Sequence, residues 1–357
     1  MANLIKSMYL NAKYLFPHSN KIGYIGWLGH GNIGDEAMYI AIKKLLTPFF
    51  FLPYKHTKKT DLFEKLLNIK LFKAICFGGG TLINTPSYLK ELEVAQKKYN
   101  NTFVVGAGVR DPEFWSRIES NSNCVSDWVE KLKVCKFVGV RGPISNAILQ
   151  DHGFKNAVVT GDPALYLAKD SYVKKRRIKK MGINIGRSNG RAWADDLHVL
   201  DTIVKYSKVM INKGWEISFL PVFNEDIAFI REAVVKIGRP LTIFDKYHSI
   251  EKVQDYLQGL DFFVGEKLHS VVLALGVNTP SIMLEYRPKC LDFMASMDLQ
   301  KFNIRLDRLS VDLLLEISER LCTNVEQVQD RIAHKIRYYK NMQHNMAQTI
   351  KNIILNS

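Results

Sequence analysis

The sequence predicts an α/β fold: two doubly wound, Rossmann-like domains facing each other across a cleft. Three observations carry this expectation. Short apolar runs alternate with helical patterns along most of the chain, as parallel sheets of βαβ units require. Most of these runs end in glycine, where backbone approaches a neighbour closely. After a basic connector the whole pattern starts again.

The elements follow in order. Asn3–Phe16 spaces Leu4, Ile5, Met8, Ala12, Leu15 and Phe16 as a short amphipathic helix. It packs on its own domain or, in the alternative, lies on a membrane surface. Lys21–Leu28 reads as a buried strand running into the turn GHGNIGDE, Gly29 to Glu36, and a helix from Ala37 to Leu46. The turn fits neither GxGxxG nor a Walker loop, so a nucleotide fingerprint is not supported. Asp35 and Glu36 sit where the helix dipole favours acids. Further strands are Lys73–Phe77, ending in Gly78, Gly79 and Gly80, and Thr102–Gly108, followed by Arg110. Phe137–Val140 leads to Arg141 and Gly142, and Ala157–Val159 to Gly161, Asp162 and Pro163.

These boundaries give a first domain over residues 1–168 and a basic linker over 169–180 (KDSYVKKRRIKK). A second domain follows over 181–320, with strands at Met181–Ile185, Trp215–Pro221, Leu241–Phe244, Leu260–Val264 and Ser281–Leu284. In 321–357 the stripe Ile332, Ile336, Tyr339, Met342, Met346, Ile350 and Ile353 predicts a long helix packing back on the first domain.

Composition narrows the function. The 357 residues are 47% hydrophobic and 24% charged, which suits globular domains. No apolar run approaches the roughly 18 residues of a membrane span, and Met1–Phe16 lacks a signal-peptide core. Five cysteines without metal spacing read as reduced, which places the chain in the cytoplasm. A net charge of +15 favours an anionic partner. Nucleic acid is not expected, since no RNP stretch, zinc finger or arginine-rich arm is present. An anionic substrate and the inner face of a membrane remain.

The segment Val264–Lys289 (VGEKLHSVVLALGVNTPSIMLEYRPK) concentrates the chemistry. A strand exit carries Glu266, Lys267 and His269 at a helix start, and the next strand exit carries Arg287 and Lys289. In open parallel sheets, ligands bind beyond the carboxyl ends of the strands. An ammonium, an imidazole and a helix N-terminus at one mouth, with two more cations at the next strand end, make a site for an anion, most simply a phosphorylated one.

Six stretches resemble the polysaccharide pyruvyl transferases: GYIGWLGHGNIGDEAMYIAI (23–42), CFGGGTLI (76–83), VGAGVR (105–110), VGVRGPISNAILQDHGF (138–154), VVTGDPAL (158–165) and GEKLHSVVLALGVNTPSIMLEYRPK (265–289). The resemblance implies a GT-B-like fold. It implies an enzyme that moves the pyruvyl group of phosphoenolpyruvate onto two hydroxyls of one sugar. The product is a cyclic pyruvate ketal on a cell-surface polysaccharide or its lipid-linked precursor, and phosphate is released. The family's Arg-Leu-His element falls on Lys267, Leu268 and His269, so a lysine replaces the arginine and bidentate geometry is lost. The family's Arg-Asp pair after the fourth strand is Arg141-Gly142. A donor-binding arginine maps to Arg187.

On this reading Arg187, Lys267, His269 and Lys289 bind phosphoenolpyruvate, and His269 is the general acid that protonates its methylene carbon. Asp35 is the base for the attacking hydroxyl, with Glu266 and His30 as alternatives. Asn32, Gly79 and Gly80 face the acceptor, a glycan or polyprenyl-linked oligosaccharide. No metal or further cofactor is expected. The protein is placed in the cytoplasm, peripheral to the inner face of the membrane. Two other readings use the same residues: a GT-B glycosyltransferase whose cations hold a sugar nucleotide, and a glycan-binding module with no activity.

Overall fold

The computed structural model describes residues 20–54, 64, 66, 70–119, 123–169 and 179–357. The predicted N-terminal helix Asn3–Phe16 and most of the basic linker lie outside the described residues. Among the described residues no helix is long and apolar enough to cross a membrane.

The described chain forms two six-stranded parallel sheets. The first contains β1 (Lys21–Ile25), β2 (Phe50–Pro53), β3 (Ala74–Gly78), β4 (Thr102–Ala107), β5 (Phe137–Val140) and β6 (Val158–Val159) in the order β2-β1-β3-β4-β5-β6. The second contains β7 (Lys180–Asn184), β8 (Glu216–Phe219), β9 (Thr242–Ile243), β10 (Phe262–Gly265), β11 (Ser281–Glu285) and β12 (Asn303–Arg305), in the order β12-β11-β10-β7-β8-β9. Each order reverses direction once, between β1 and β3 and between β7 and β10. At such a switch point the flanking crossovers leave on opposite faces, and a crevice opens at the strand ends.

Edge strand β2 was not anticipated, because FFLP is too short to show alternation. The helix α1 (Ile33–Leu45) begins earlier than its apolar pattern. Asn32 caps it by accepting from the Gly34 N–H at 2.9 Å, so the glycine-rich turn ends inside the first helical turn. A separate helix, Val311–Thr323, precedes the long terminal one.

Period-two alternation divides the first sheet between two cores. Ile25, Ile75, Phe77 and Val104 point to one side. Ile22, Tyr24, Ala74, Cys76, Phe103 and Val105 point to the other, where Met346, Ala347, Ile350 and Ile354 of the terminal helix (Val325–Leu355) cover them. The largest core spans both domains: Ile33, Ala37, Met38, Ala164 and Leu165 of the first belong to the same cluster as the second sheet.

Candidate active site

The two switch points face one another. Their strand exits supply the walls of one cleft of about 960 Å³, the size of a substrate-pair site. The exits of β1 and β3 contribute Trp27, Asn32, Asp35, Gly80 and Thr81, and the exits of β7 and β10 contribute Arg187, Lys267 and His269. Arg141 and Lys289 come from β5 and β11.

The second switch point is held by Asn184, the last residue of β7. Its side chain accepts from the Lys267 N–H at 2.9 Å and donates to the Leu220 carbonyl at 2.9 Å. Lys267 Nζ donates to the Arg187 carbonyl at 2.9 Å and stands 5.1 Å from the centre of the Tyr286 ring. Its stem needs the glycine beside it: a Cβ on Gly186 would lie 2.5 Å from Lys267 Cε and 2.1 Å from Asp226 Oδ1. Arg187 is paired with Glu232 at 3.0 Å and lies over Phe229.

His269 lies in the first turn of the helix Leu268–Leu275 and is 9% exposed. Its ring lies against the first turn of α1, where a Cβ on Gly34 would come within 2.0 Å of Nδ1. Nε2 faces the Asp162 carboxylate of the other domain at 3.5 Å. Asp162 is fully buried and also 3.0 Å from Arg141 Nε. Burial pushes Asp162 up, but Arg141 and His269 outweigh it and hold the carboxyl below its ordinary range. The turn bearing Asp162 is braced by Gln343 of the terminal helix, which donates to the carbonyls of Thr160 and Asp162.

Asp35 is half-buried, and burial raises its pKa against the pull of His269, Lys289 and Arg141. Burial and the neighbouring Arg287 lower Lys289 to about 7. Burial pushes Glu266 up to about 7, with Lys267 opposing. Its Oε2 accepts from the Gly186 N–H at 3.0 Å. A carboxyl raised above its unfolded value leaves stability intact below about pH 4.5 and lowers it as pH rises towards 7. Glu266→Gln keeps the acceptor and removes the charge. It is expected to stabilise the fold by roughly 2–3 kcal/mol above pH 7 and to change nothing near pH 4. Denaturation midpoints at the two pH values check this.

The predicted residues therefore meet in one cleft, except Gly79 and the two alternative bases, Glu266 and His30, which are not among its lining residues. Gly79 is buried against Met38, whose sulfur would lie 2.7 Å from a Cβ there, so it shapes the turn and only Gly80 reaches the wall. Asn32 lines the cleft, but its oxygen is committed to the helix cap. Glu36 accepts from the Gly29 N–H and steadies the turn. His30 stacks on the exposed Trp27, with ring centres 4.1 Å apart.

Sequence reasoning gave no role to Arg141, Asp162, Asp292 or Tyr286. Arg141 is 1% exposed, and its Nη1 has no hydrogen-bond partner among the described residues, leaving a donor at the cleft. Asp292 explains why glycine follows Arg141. Its carboxylate reaches from the second domain to the helix Pro143–Asp151, accepting from the Ile144 and Ser145 N–H groups and the Ser145 hydroxyl at 2.8, 3.2 and 2.6 Å. A Cβ on Gly142 would stand 2.2 Å from that carboxylate. The second domain thus places an acid at this helix start.

Two facing parallel sheets with a cation-lined cleft between their switch points define a GT-B-like protein. Solved structures agree on the fold. A glycosyltransferase from Rickettsia africae ESF-5 is 10% identical with a TM-score of 0.58, over 94% of this chain and 98% of that one. A UDP-GlcNAc 2-epimerase from Neisseria meningitidis is also 10% identical, with a TM-score of 0.52 over 92% and 98%. A UDP-glucosyltransferase from Polygonum tinctorium is 9% identical, with a TM-score of 0.54 over 93% and 98%. No curated protein matches the chain in sequence. The chain belongs to the polysaccharide pyruvyl transferase family, whose model matches residues 32–288.

Proposed function

We propose that the protein transfers the pyruvyl group of phosphoenolpyruvate to two hydroxyls of one sugar, in a polysaccharide or its lipid-linked precursor. The observation that carries this reading is the meeting of Arg187, Lys267, His269 and Lys289 with Asp35 across one cleft. Phosphoenolpyruvate bears close to three negative charges; Arg187 and Lys267 answer two of them, and the donor's own charge favours the protonated form of Lys289 as the third. His269, once its ring turns from Asp162 towards the donor, protonates the methylene carbon, which becomes the methyl group and leaves C2 electrophilic. One sugar hydroxyl attacks C2 as Asp35 takes its proton; burial raises the Asp35 carboxyl, which makes it a stronger base than an exposed carboxylate. The C2–O bond to phosphate breaks, and the second hydroxyl closes the ketal, its proton leaving with phosphate or solvent. The reaction asks for no metal and no cofactor beyond the donor. The net charge of +15 suits work at an anionic inner membrane face, where a polyprenyl-linked acceptor would stand.

Thermal titration with phosphoenolpyruvate tests the donor. Saturable binding adds RT ln(1 + [L]/Kd), about 2.7 kcal/mol at a hundredfold excess over Kd. The wild type is expected to show this shift and Lys267→Ala to lose most of it. A shift with a sugar nucleotide and none with phosphoenolpyruvate would instead favour glycosyl transfer.

A further inference from the structure

We infer that the cleft holds a second anion subsite, formed by Arg110 and Arg287 against Trp115 with Arg191 at its edge, which takes the phosphate or diphosphate carrying the acceptor sugar. The inference rests on the reading above, in which the acceptor shares the cleft with phosphoenolpyruvate.

All four side chains line the cleft. The Arg110 guanidinium lies 3.8 Å from the centre of the Trp115 ring, and Arg287 lies 5.2 Å from the same ring and 5.0 Å from Tyr286. Arg287 Nε donates to the Arg191 carbonyl at 2.7 Å. Two guanidiniums, one from each domain, thus lie against one indole, and the exposed Arg191 stands beside them through Glu119 and its own backbone carbonyl.

Their charge is not balanced. Among the described residues the one carboxylate paired with any of them is Glu119, which meets Arg110 closely and Arg191 at 3.9 Å. An interdomain latch would explain those two arginines. It leaves Arg287 unexplained: half-buried, bracketed by two aromatic rings and without a carboxylate partner among the described residues. Burial is the main reason the Lys289 pKa is lowered, and Arg287 is the charge that adds most to the lowering.

Planar forks held against aromatic faces are pre-organised for the oxygens of phosphate. The donor's charges are already met by Arg187, Lys267 and Lys289. What remains fits a second phosphorylated group, with Glu119 occupying its place until it arrives. An acceptor sugar borne on a diphosphate supplies that group; a finished neutral polysaccharide does not.

The test is a thermal titration of the full chain with inorganic pyrophosphate at saturating phosphoenolpyruvate. The wild type is expected to show a further saturable shift. Arg287→Ala should weaken the apparent Kd about tenfold or more, and Arg287→Lys less, since charge is kept and the fork lost. Glu119→Gln should tighten binding severalfold, because the competing carboxylate is gone. Pyrophosphate that competes with phosphoenolpyruvate, and is lost in Lys267→Ala but not in Arg287→Ala, would overturn the subsite. A pyrophosphate shift that needs Arg287, with no response to phosphoenolpyruvate, would sink the donor reading and leave the subsite standing. Parallel titrations with UDP and farnesyl diphosphate identify the carrier. Tighter binding of either than of pyrophosphate, still dependent on Arg287, supports the subsite and names its source.

Discussion

His269→Ala is expected to lower turnover by about 10²–10⁴-fold, the usual contribution of a positioned general acid. Donor binding should suffer less than in Lys267→Ala, because the cations remain. The reaction carries its own label for this role. In D2O the ketal methyl made by the wild type should acquire solvent deuterium, since its third hydrogen arrives by protonation of the methylene carbon. Turnover within tenfold of wild type, with the same labelling, would remove His269 from the chemistry. The ring's surroundings give a companion expectation. Nδ1 lies against Gly34 and Nε2 faces Asp162, so the histidine of one domain is oriented by the other.

The second large effect is on stability. Gly142→Ala places a methyl group 2.2 Å from Asp292 Oδ1 and 2.5 Å from the Asp292 carbonyl oxygen. The carboxylate cannot retreat without leaving two N–H groups and a hydroxyl at the start of Pro143–Asp151 unanswered. A loss of about 2–4 kcal/mol is expected by chemical denaturation. Aspartate at 142, the residue the family resemblance leads one to expect, should be worse, because it brings a second carboxylate into the same buried space. A double-mutant cycle with Asp292→Ala is the check. The cost of Gly142→Ala should shrink when Asp292 is already short, and additive costs would place the clash elsewhere.

Much of this architecture was legible in the chain. Strand exits in glycine, with helices between them, require parallel sheets, and the strand-end rule then puts Asp35, Lys267 and His269 on a cleft wall without coordinates. Other features depend on contacts between distant segments. Asp162 looks like an ordinary turn acid. What makes it part of the site is Gln343, far along the chain, holding its backbone. Gly142 reads as a departure from the family pattern until Asp292 is seen filling the space. The apolar period places the start of α1 at Ala37, later than the observed Ile33, because Gly34 and Asp35 break the period although they are already helical. Gly79 and Gly80 look identical in sequence, and only the position of Met38 separates the one that packs from the one that lines the cleft.

The terminal helix has a consequence for how the protein is made. The sheet face bearing Ile22, Tyr24, Phe103 and Val105 is sealed by Met346, Ala347, Ile350 and Ile354. The whole second domain separates those residues from the strands they cover. A nascent chain emerging from the ribosome therefore carries a first domain with one greasy face uncovered until translation has passed the second. Such intermediates are the aggregation-prone species of large-protein folding. The first sheet is thus no autonomous folding unit: its closure waits on the helix that also braces the Asp162 turn, and maturation of the core and assembly of the cleft become one event.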